Sequence, residues 1–510
     1  MPQAECEKSP GLAEVDNADG SKRTIGVLSG AAMSVALMIG SGIFSTPASV
    51  ARISGTPLMA MVLYTLGGIC SFGGALAFIE IGIMFPKNGG SLRYLAHGYL
   101  KPRLLVSYLY AWCMVVSIIP SGIAVNGSVF AQYWVYALAG GNNMQTQYPT
   151  IYNHKDWIYR GIAAAAIIFA SLICMFSVKW SLRLLNALTA LKILLLLIIS
   201  VTGIVALAGG VKKIPDAGNW STGFSGTSAK FAAYAIAMNR VFWAYDGWAN
   251  VCCSVGEMRN PRRDLPRAAG LGIVAVTILY LLAIFAYFSV VPLQEAINAN
   301  EILGAVFTNK VFGTTAGQVI LPLLIGLSVF GALVAEVFAV GRIVQAAATF
   351  EYIPYGKKLA EYSKKYNTPM NAIIFNFVLT MVFLFAPPPG DIFEFLVDFI
   401  QYPVWVFYGL TTAGVIFLRH RLPSFKGRKF KANIVLLLLF VLVSVYLSIF
   451  PFINTGATAG AYPYYLSPLL GLVSIVIGFI PWYFRMWWYA DKKGVDFTAW
   501  IYRDEEEFDY

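Results

Sequence analysis

The chain has 510 residues, 58% of them hydrophobic and 12% charged, with a formal net charge of +11. Soluble domains carry about 25% charged residues, so this composition excludes an ordinary soluble protein and indicates a polytopic membrane protein. The basic excess calls for no nucleic acid, because Lys and Arg collect in the cytoplasmic loops of membrane proteins.

In chain order, Met1 to Ser21 is polar, acidic and rich in small residues. It lacks the basic start and apolar core of a signal peptide, so residues 1–23 are expected to form a disordered cytoplasmic tail. Twelve apolar segments long enough to span a bilayer follow, at 25–51, 57–85, 104–138, 157–176, 182–208, 231–256, 267–291, 317–345, 370–386, 392–418, 432–453 and 466–489. Pro120 and Pro322 are expected to kink the third and eighth. Residues 491–510 form a C-terminal tail. Twelve spans put both termini on one side. Lys192 and Arg240 fall inside segments, and seven basic residues (Arg52, Lys155, Arg160, Lys212, Lys213, Lys230 and Lys310) fall on the far side. All other Lys and Arg, for example Arg259, Arg262, Arg263, Lys357 and Arg428, share the side of the termini. That bias predicts cytoplasmic termini.

The first segment is interrupted at Met38-Ile39-Gly40-Ser41-Gly42-Ile43-Phe44. Two glycines around a serine weaken a helix. In lipid, a freed backbone group costs several kcal/mol unless it is buried in protein or lines a cavity. The sixth segment has a matching interruption, Trp243-Ala244-Tyr245-Asp246-Gly247-Trp248. First and sixth are corresponding members of two five-segment halves, 24–230 and 231–431, which run in opposite senses because five is odd. Residues 432–490 add two helices. Paired broken helices in inverted halves point to a transport site. The expected fold is therefore all-α, with twelve transmembrane helices arranged as a 5+5 inverted repeat with broken first and sixth helices, plus two C-terminal helices.

Gly40-Ser41-Gly42-Ile43-Phe44 with Pro47 resembles the first-helix motif of the amino acid–polyamine–organocation transporters. Glu257-Met258-Arg259-Asn260-Pro261 with Asp264-Leu265-Pro266-Arg267-Ala268 resembles the loop after the sixth helix in the L-type amino acid transporters. Pro86-Lys87-Asn88-Gly89-Gly90, Lys101-Pro102, Gly326-Leu327-Ser328, Gly341-Arg342-Ile343 and Ala386-Pro387-Pro388-Pro389-Gly390-Asp391 are similar to fungal methionine permeases. The resemblance covers about residues 22 to 490. It implies a LeuT-type arrangement and import of a neutral, methionine-like L-amino acid, driven by a proton gradient and without another cofactor.

A zwitterionic amino acid needs donors for its carboxylate and acceptors for its ammonium, and a broken helix offers both. The backbone N–H groups around Ser41, Gly42 and Ile43 are expected to hold the carboxylate, with Gly40 and Gly42 letting the backbone approach the ligand and Ser41 adding a hydroxyl. Carbonyls near Met38 and Ile39 and of Trp243, Ala244 and Asp246, next to Gly247, are expected to bind the ammonium. Trp243, Tyr245 and Trp248 are candidate walls, and the resemblance favours Trp243. Lys192 lies about 15 Å into the fifth segment at 1.5 Å per residue. Its two readings are a fixed structural cation and a group that carries the coupled proton. Arg240, Asp246 and Glu336 depart from the family pattern. They are expected to neutralise one another, Arg240 pairing with Glu336 or Asp246. An acidic group facing the substrate instead would favour a cationic one. Glu80, near the end of the second segment, is expected to pair with Arg259 or Arg263 during closure on the cytoplasmic side.

Cys70, Cys113, Cys174, Cys252 and Cys253 lie in apolar segments and Cys6 in the tail, which argues against a disulfide framework or a zinc site. No cysteine stands between Gly140 and Asp156, where some L-type transporters attach a heavy chain, so no disulfide-linked partner is expected. Lys8 and Lys22 are candidate ubiquitin acceptors. No nucleophile–base set, phosphate loop or metal spacing is present, which disfavours an enzyme, including one acting on lipid. The competing functions are an exchanger, a sensor that binds without transporting, and a permease for a cationic or amine substrate. The expected setting is the plasma membrane, with lipid around the bundle.

Overall fold

The computed structural model describes residues 25–508 except 140, 142–143, 211–216, 351, 354–355, 360, 364, 367, 388–391, 455–462 and 494–495. Lys8, Lys22 and most of the proline-rich motif at 386–391 therefore lie outside the described residues. The described chain is helical, and its one β-bridge joins Ile25 to Met258. Among the described residues, ten helices are long and apolar enough to cross a membrane. The two other expected segments are shorter helices, Phe231–Tyr245 and Met370–Phe385. The first is short because the sixth segment breaks at Asp246 and resumes as a 3-10 turn over Asn250–Glu257. Leu66, Ile69, Leu197, Val201, Leu271, Val274, Val378, Val382, Leu439 and Leu442 face outward, the apolar belt that lipid requires.

The first, second, sixth and seventh segments pack on one another, and so do the third, fourth, eighth and ninth. The fifth lies against the seventh and eighth, so it touches both groups. The two kinked segments share one device. In the third, a π-helical turn over Met114–Ile118 ends two residues before Pro120. In the eighth, a π turn over Ala316–Ile320 ends two residues before Pro322. Proline brings no N–H and its ring presses on the carbonyl one turn back, and the wider turn relieves both. A separate helical arm at 303–312 precedes the eighth helix, and the chain turns back between them at Gly313, where φ is +75°, so that the Thr308 hydroxyl donates to the Gly317 carbonyl at 2.8 Å.

Ile25 is hydrogen-bonded to Glu257 and Arg259, and the Gly256 N–H donates to Asn88 Oδ1 at 3.0 Å. The helix Ala499–Phe508 packs beside Lys87 and Arg93. Both ends of the described chain thus share one face, the terminal face. The expected C-terminal tail is in part this docked helix.

Candidate functional site

The first segment leaves helical geometry at Ile39, with ψ 91°, and resumes as Gly42–Ser45 and Pro47–Ser54. The sixth leaves it at Asp246, with ψ 142°, followed by Gly247 at φ +110°. That φ is strained for any side chain, and a Cβ on Gly247 would lie 2.8 Å from the Leu37 carbonyl carbon. Gly42 is required for a different reason: a Cβ there would lie 2.3 Å from Ala244 Cα. The two breaks therefore touch at two places. Gly40 is unlike both. A Cβ on it would meet Ala332 at 3.8 Å, an ordinary contact, and the residue is partly exposed. Gly40 borders open space.

Each break strands backbone groups. On the carbonyl side, Ala36 O accepts from Lys192 Nζ at 3.3 Å. The Tyr280 hydroxyl lies 2.9 Å from Met38 O and 2.8 Å from Ala244 O. It has one proton and satisfies one carbonyl at a time, which leaves the other as an acceptor. On the donor side, the N–H groups of Ser41, Gly42 and Ile43 precede the first turn and have no intrahelical acceptor. Ser41 Oγ is buried without a partner, whereas the Ser45 and Thr46 hydroxyls are spent on the carbonyls of Ser41 and Gly42. Donors and acceptors thus stand on opposite sides of a gap at Gly40, an arrangement suited to a carboxylate and an ammonium. The half of the first segment that follows the break is held by Tyr133, whose hydroxyl donates to Phe44 O at 2.9 Å, and by a Thr46–Tyr64 hydroxyl pair at 2.6 Å.

Among the expected walls, Trp243 is buried and its Nε1 has no partner. Tyr245 and Trp248 pack into neighbouring segments. Tyr245 is fully buried, donates to Tyr64 O at 3.0 Å and packs on the Tyr64 and Tyr280 rings. Trp248 packs among Phe78, Tyr408 and Phe440. Successive residues past a helix end point different ways, and these two point into the second, seventh, tenth and eleventh segments. Asp246 is partly exposed and accepts from the Tyr408 hydroxyl at 3.3 Å.

A family model described as amino acid permease matches residues 25–478. The chain belongs to the amino acid permease family. It is 30% identical over 481 residues to the high-affinity methionine permease of Saccharomyces cerevisiae, covering 92% of this chain and 80% of the yeast protein. It is 30% identical over 484 residues to the mouse b(0,+)-type amino acid transporter 1, covering 95% and 93%. It is 27% identical over 493 residues to the human cystine/glutamate transporter, covering 97% and 90%. As a member of a transporter family the chain is not an enzyme.

The permease's remaining charges are not paired as the sequence suggested. Arg240 does not bridge Glu336 or Asp246. It pairs with Asp398 at 2.8 Å and Glu394 at 3.6 Å, both at the start of the tenth segment, and Glu394 also binds Arg52 at 2.5 Å. Arg240 lies on the part of the sixth segment that precedes the break, at the same end as Arg52, so that end collects the charges. Glu80 is fully buried and binds Arg419 at 2.5 Å and the Ala432 N–H at 2.9 Å, with Arg428 at 3.6 Å, instead of Arg259 or Arg263. Glu336 accepts from Asn126 Nδ2 at 3.0 Å. The sequence reading passed over Tyr280, Tyr133 and Asn126. Each is a polar side chain inside an apolar run, where its hydroxyl or amide must find a partner, and that was the available signal.

Proposed function

We propose that this permease imports a neutral, methionine-like L-amino acid by proton-coupled alternating access at the paired breaks. The observation that carries the reading is the gap at Gly40, with unspent donors at Ser41, Gly42 and Ile43 and a spare carbonyl between Met38 and Ala244. Trp243 supplies an apolar wall suited to an uncharged side chain. Lys192 serves as the cation that holds the carbonyl end of the first break. We read the twelve segments as twelve spans in a 5+5 inverted repeat. The matched breaks in the first and sixth and the matched π–proline turns in the third and eighth support that reading. The basic bias of the terminal face supports cytoplasmic termini, and the relative named a high-affinity methionine permease supports a methionine-like substrate.

Asp246 favours a second reading, a substrate with a cationic group. The residue is partly exposed at the break and its carboxylate accepts from the Tyr408 hydroxyl, while Arg240 is committed to Asp398 and Glu394. Radiolabelled methionine uptake into proteoliposomes under an inward proton gradient tests both readings, with lysine, arginine, cystine and glutamate as competitors. Acid-driven accumulation blocked by neutral amino acids is the expected result. Uptake that requires internal amino acid indicates exchange, and binding without uptake indicates a sensor. Competition by lysine that Asp246→Gly abolishes establishes the cationic reading.

A further inference from the structure

Glu336 and Asn126 lie face to face between the eighth and third segments. Asn126 Nδ2 donates to Glu336 Oε1 at 3.0 Å. Two atoms of the pair, Glu336 Oε2 and Asn126 Oδ1, are buried with no partner. Both are acceptors when the glutamate is ionised, so an ionised pair leaves two acceptors unpaired out of water, at full desolvation cost. A single proton on Oε2 changes this. A carboxylic acid and a primary amide are complementary: the amide N–H donates to the acid C=O, and the acid O–H donates to the amide C=O. The proton would be the donor that both orphan atoms lack. The site is shaped for the group, since a Cβ on Gly122, one turn before Asn126, would lie 3.3 Å from Glu336 Oε1. Glu336 is also one turn beyond Ala332, the residue that meets Gly40 at the break.

We propose that Glu336, paired with Asn126, carries the proton that this permease moves with its substrate. The proposal rests on the transport reading above and assigns the coupling group. The charged groups that face Glu336 are Lys192 from the fifth segment and Asp246 from the sixth. The fourth brings the Cys174 thiol onto the Val334 carbonyl at 3.8 Å. The third brings Asn126 and Gly122, and the ninth has no titratable residue. Lys310 stands on the helical arm that precedes the eighth segment and Lys358 on the short helix Gly356–Leu359 that follows it. The proton arrives from the outer medium on Oε2 and bonds to Asn126 Oδ1, so the third and eighth segments are joined by two hydrogen bonds. When it leaves to the inner medium the second bond is lost and a carboxylate remains, with Lys192 as the nearest cation. Lys192 itself is bonded to Ala36 O at 3.3 Å.

Glu336→Gln presents the same outline as the protonated acid, with an N–H donor for Asn126 Oδ1, and is the decisive variant. A gradient of one pH unit sustains about tenfold accumulation in one-to-one symport. E336Q is expected to lose that accumulation, falling to equal concentrations inside and out, while retaining exchange of labelled for unlabelled amino acid. Infrared difference spectra of the same reconstituted protein give a readout independent of transport. A carboxylic-acid C=O band sensitive to H/D exchange is expected in the wild type and absent from E336Q, and N126A is expected to move it toward the position of an acid without a hydrogen bond. Acid-driven accumulation by E336Q overturns the proposal, as does a spectrum unchanged in both variants. If the band behaves as expected while the wild type moves no amino acid, the protonated pair stands and the transport reading falls.

Discussion

Both ends of the bundle are closed by buried ions, but the ions belong to different helices. On the face away from the termini, Arg52 of the first segment and Arg240 of the sixth share Glu394 and Asp398 of the tenth. Both arginines therefore sit on the broken helices, on the same side of the gap at Gly40. On the terminal face, Glu80 of the second segment binds Arg419 at the end of the tenth and Arg428 beyond it, and the C-terminal helix clamps Lys87 and Arg93. No broken helix contributes an ion to these terminal-face pairs. Opening the first face by moving a broken helix means separating buried charges, whereas the terminal-face ions can stay paired while those helices move.

The largest effect that would break this contrast is expected at Arg240. Arg240→Met leaves the Glu394 and Asp398 carboxylates together at a buried position, at a cost of roughly 3–5 kcal/mol. Thermal unfolding in detergent should show a protein unstable at temperatures the wild type survives. Arg240→Met combined with Asp398→Asn should recover much of the loss, because it removes one of the stranded charges. A single variant as stable as the wild type would mean that the cluster is hydrated and does not seal that face.

Glu80→Gln should cost less, about 2–3 kcal/mol. Arg419 retains the Ala432 carbonyl at 2.7 Å and Arg428 the Leu418 carbonyl at 3.3 Å, so neither guanidinium is abandoned. The contrast predicts a difference in kind as well. The Arg240 variant should change the substrate concentration for half-maximal uptake, because it lies on the sixth helix before the break. The Glu80 variant should lower the amount of folded protein and leave that concentration unchanged. Uptake kinetics normalised to folded protein separate the two.

How far these features were legible in the sequence follows from their range. The break at Gly40-Ser41-Gly42 was readable because two glycines and a serine violate a local rule in an apolar run. The gap between donors and acceptors followed, since helix ends always strand backbone groups. The partners of Arg240 and Glu80 were not readable. Glu394, Asp398 and Arg419 are more than 150 residues away in the chain, and from sequence they are indistinguishable from ordinary charges at the ends of a span. Tyr245 and Trp248 were misread because composition shows that an aromatic residue stands beside a break but not which way it points where the helix ends at Asp246 and Gly247. The C-terminal helix carried a signal that was passed over. Trp500, Ile501, Asp504 and Phe508 recur at three- and four-residue spacing and so share one face.

That helix supplies the smallest effect and the clearest pH dependence. Asp504 is buried between Arg93, Lys87 at 2.9 Å and His97 at 3.4 Å. Burial alone would push its carboxyl up, but the His97 hydrogen bond and the Arg93 and Lys87 charges outweigh that and hold it down at about 2. An unfolded aspartate titrates near 3.9. A carboxylate held lower in the folded state stabilises it above the unfolded value, and that contribution is lost as pH falls through the folded one. The clamp should therefore be at full strength above about pH 4 and weaken by about 2 kcal/mol on acidification to about pH 2. Trp500 reports on it directly, because its ring lies 4.4 Å from Phe350 and 5.6 Å from His97. The fluorescence difference between the permease and Trp500→Phe should change across that window, and Asp504→Asn should show the acid signal already at neutral pH. If Asp504→Asn keeps the neutral signal, the apolar contacts of Trp500, Ile501 and Phe508 hold the helix without the ions. The terminal face would then be a packed seal, and the contrast with the ionic seal at Arg52 and Arg240 would be sharper.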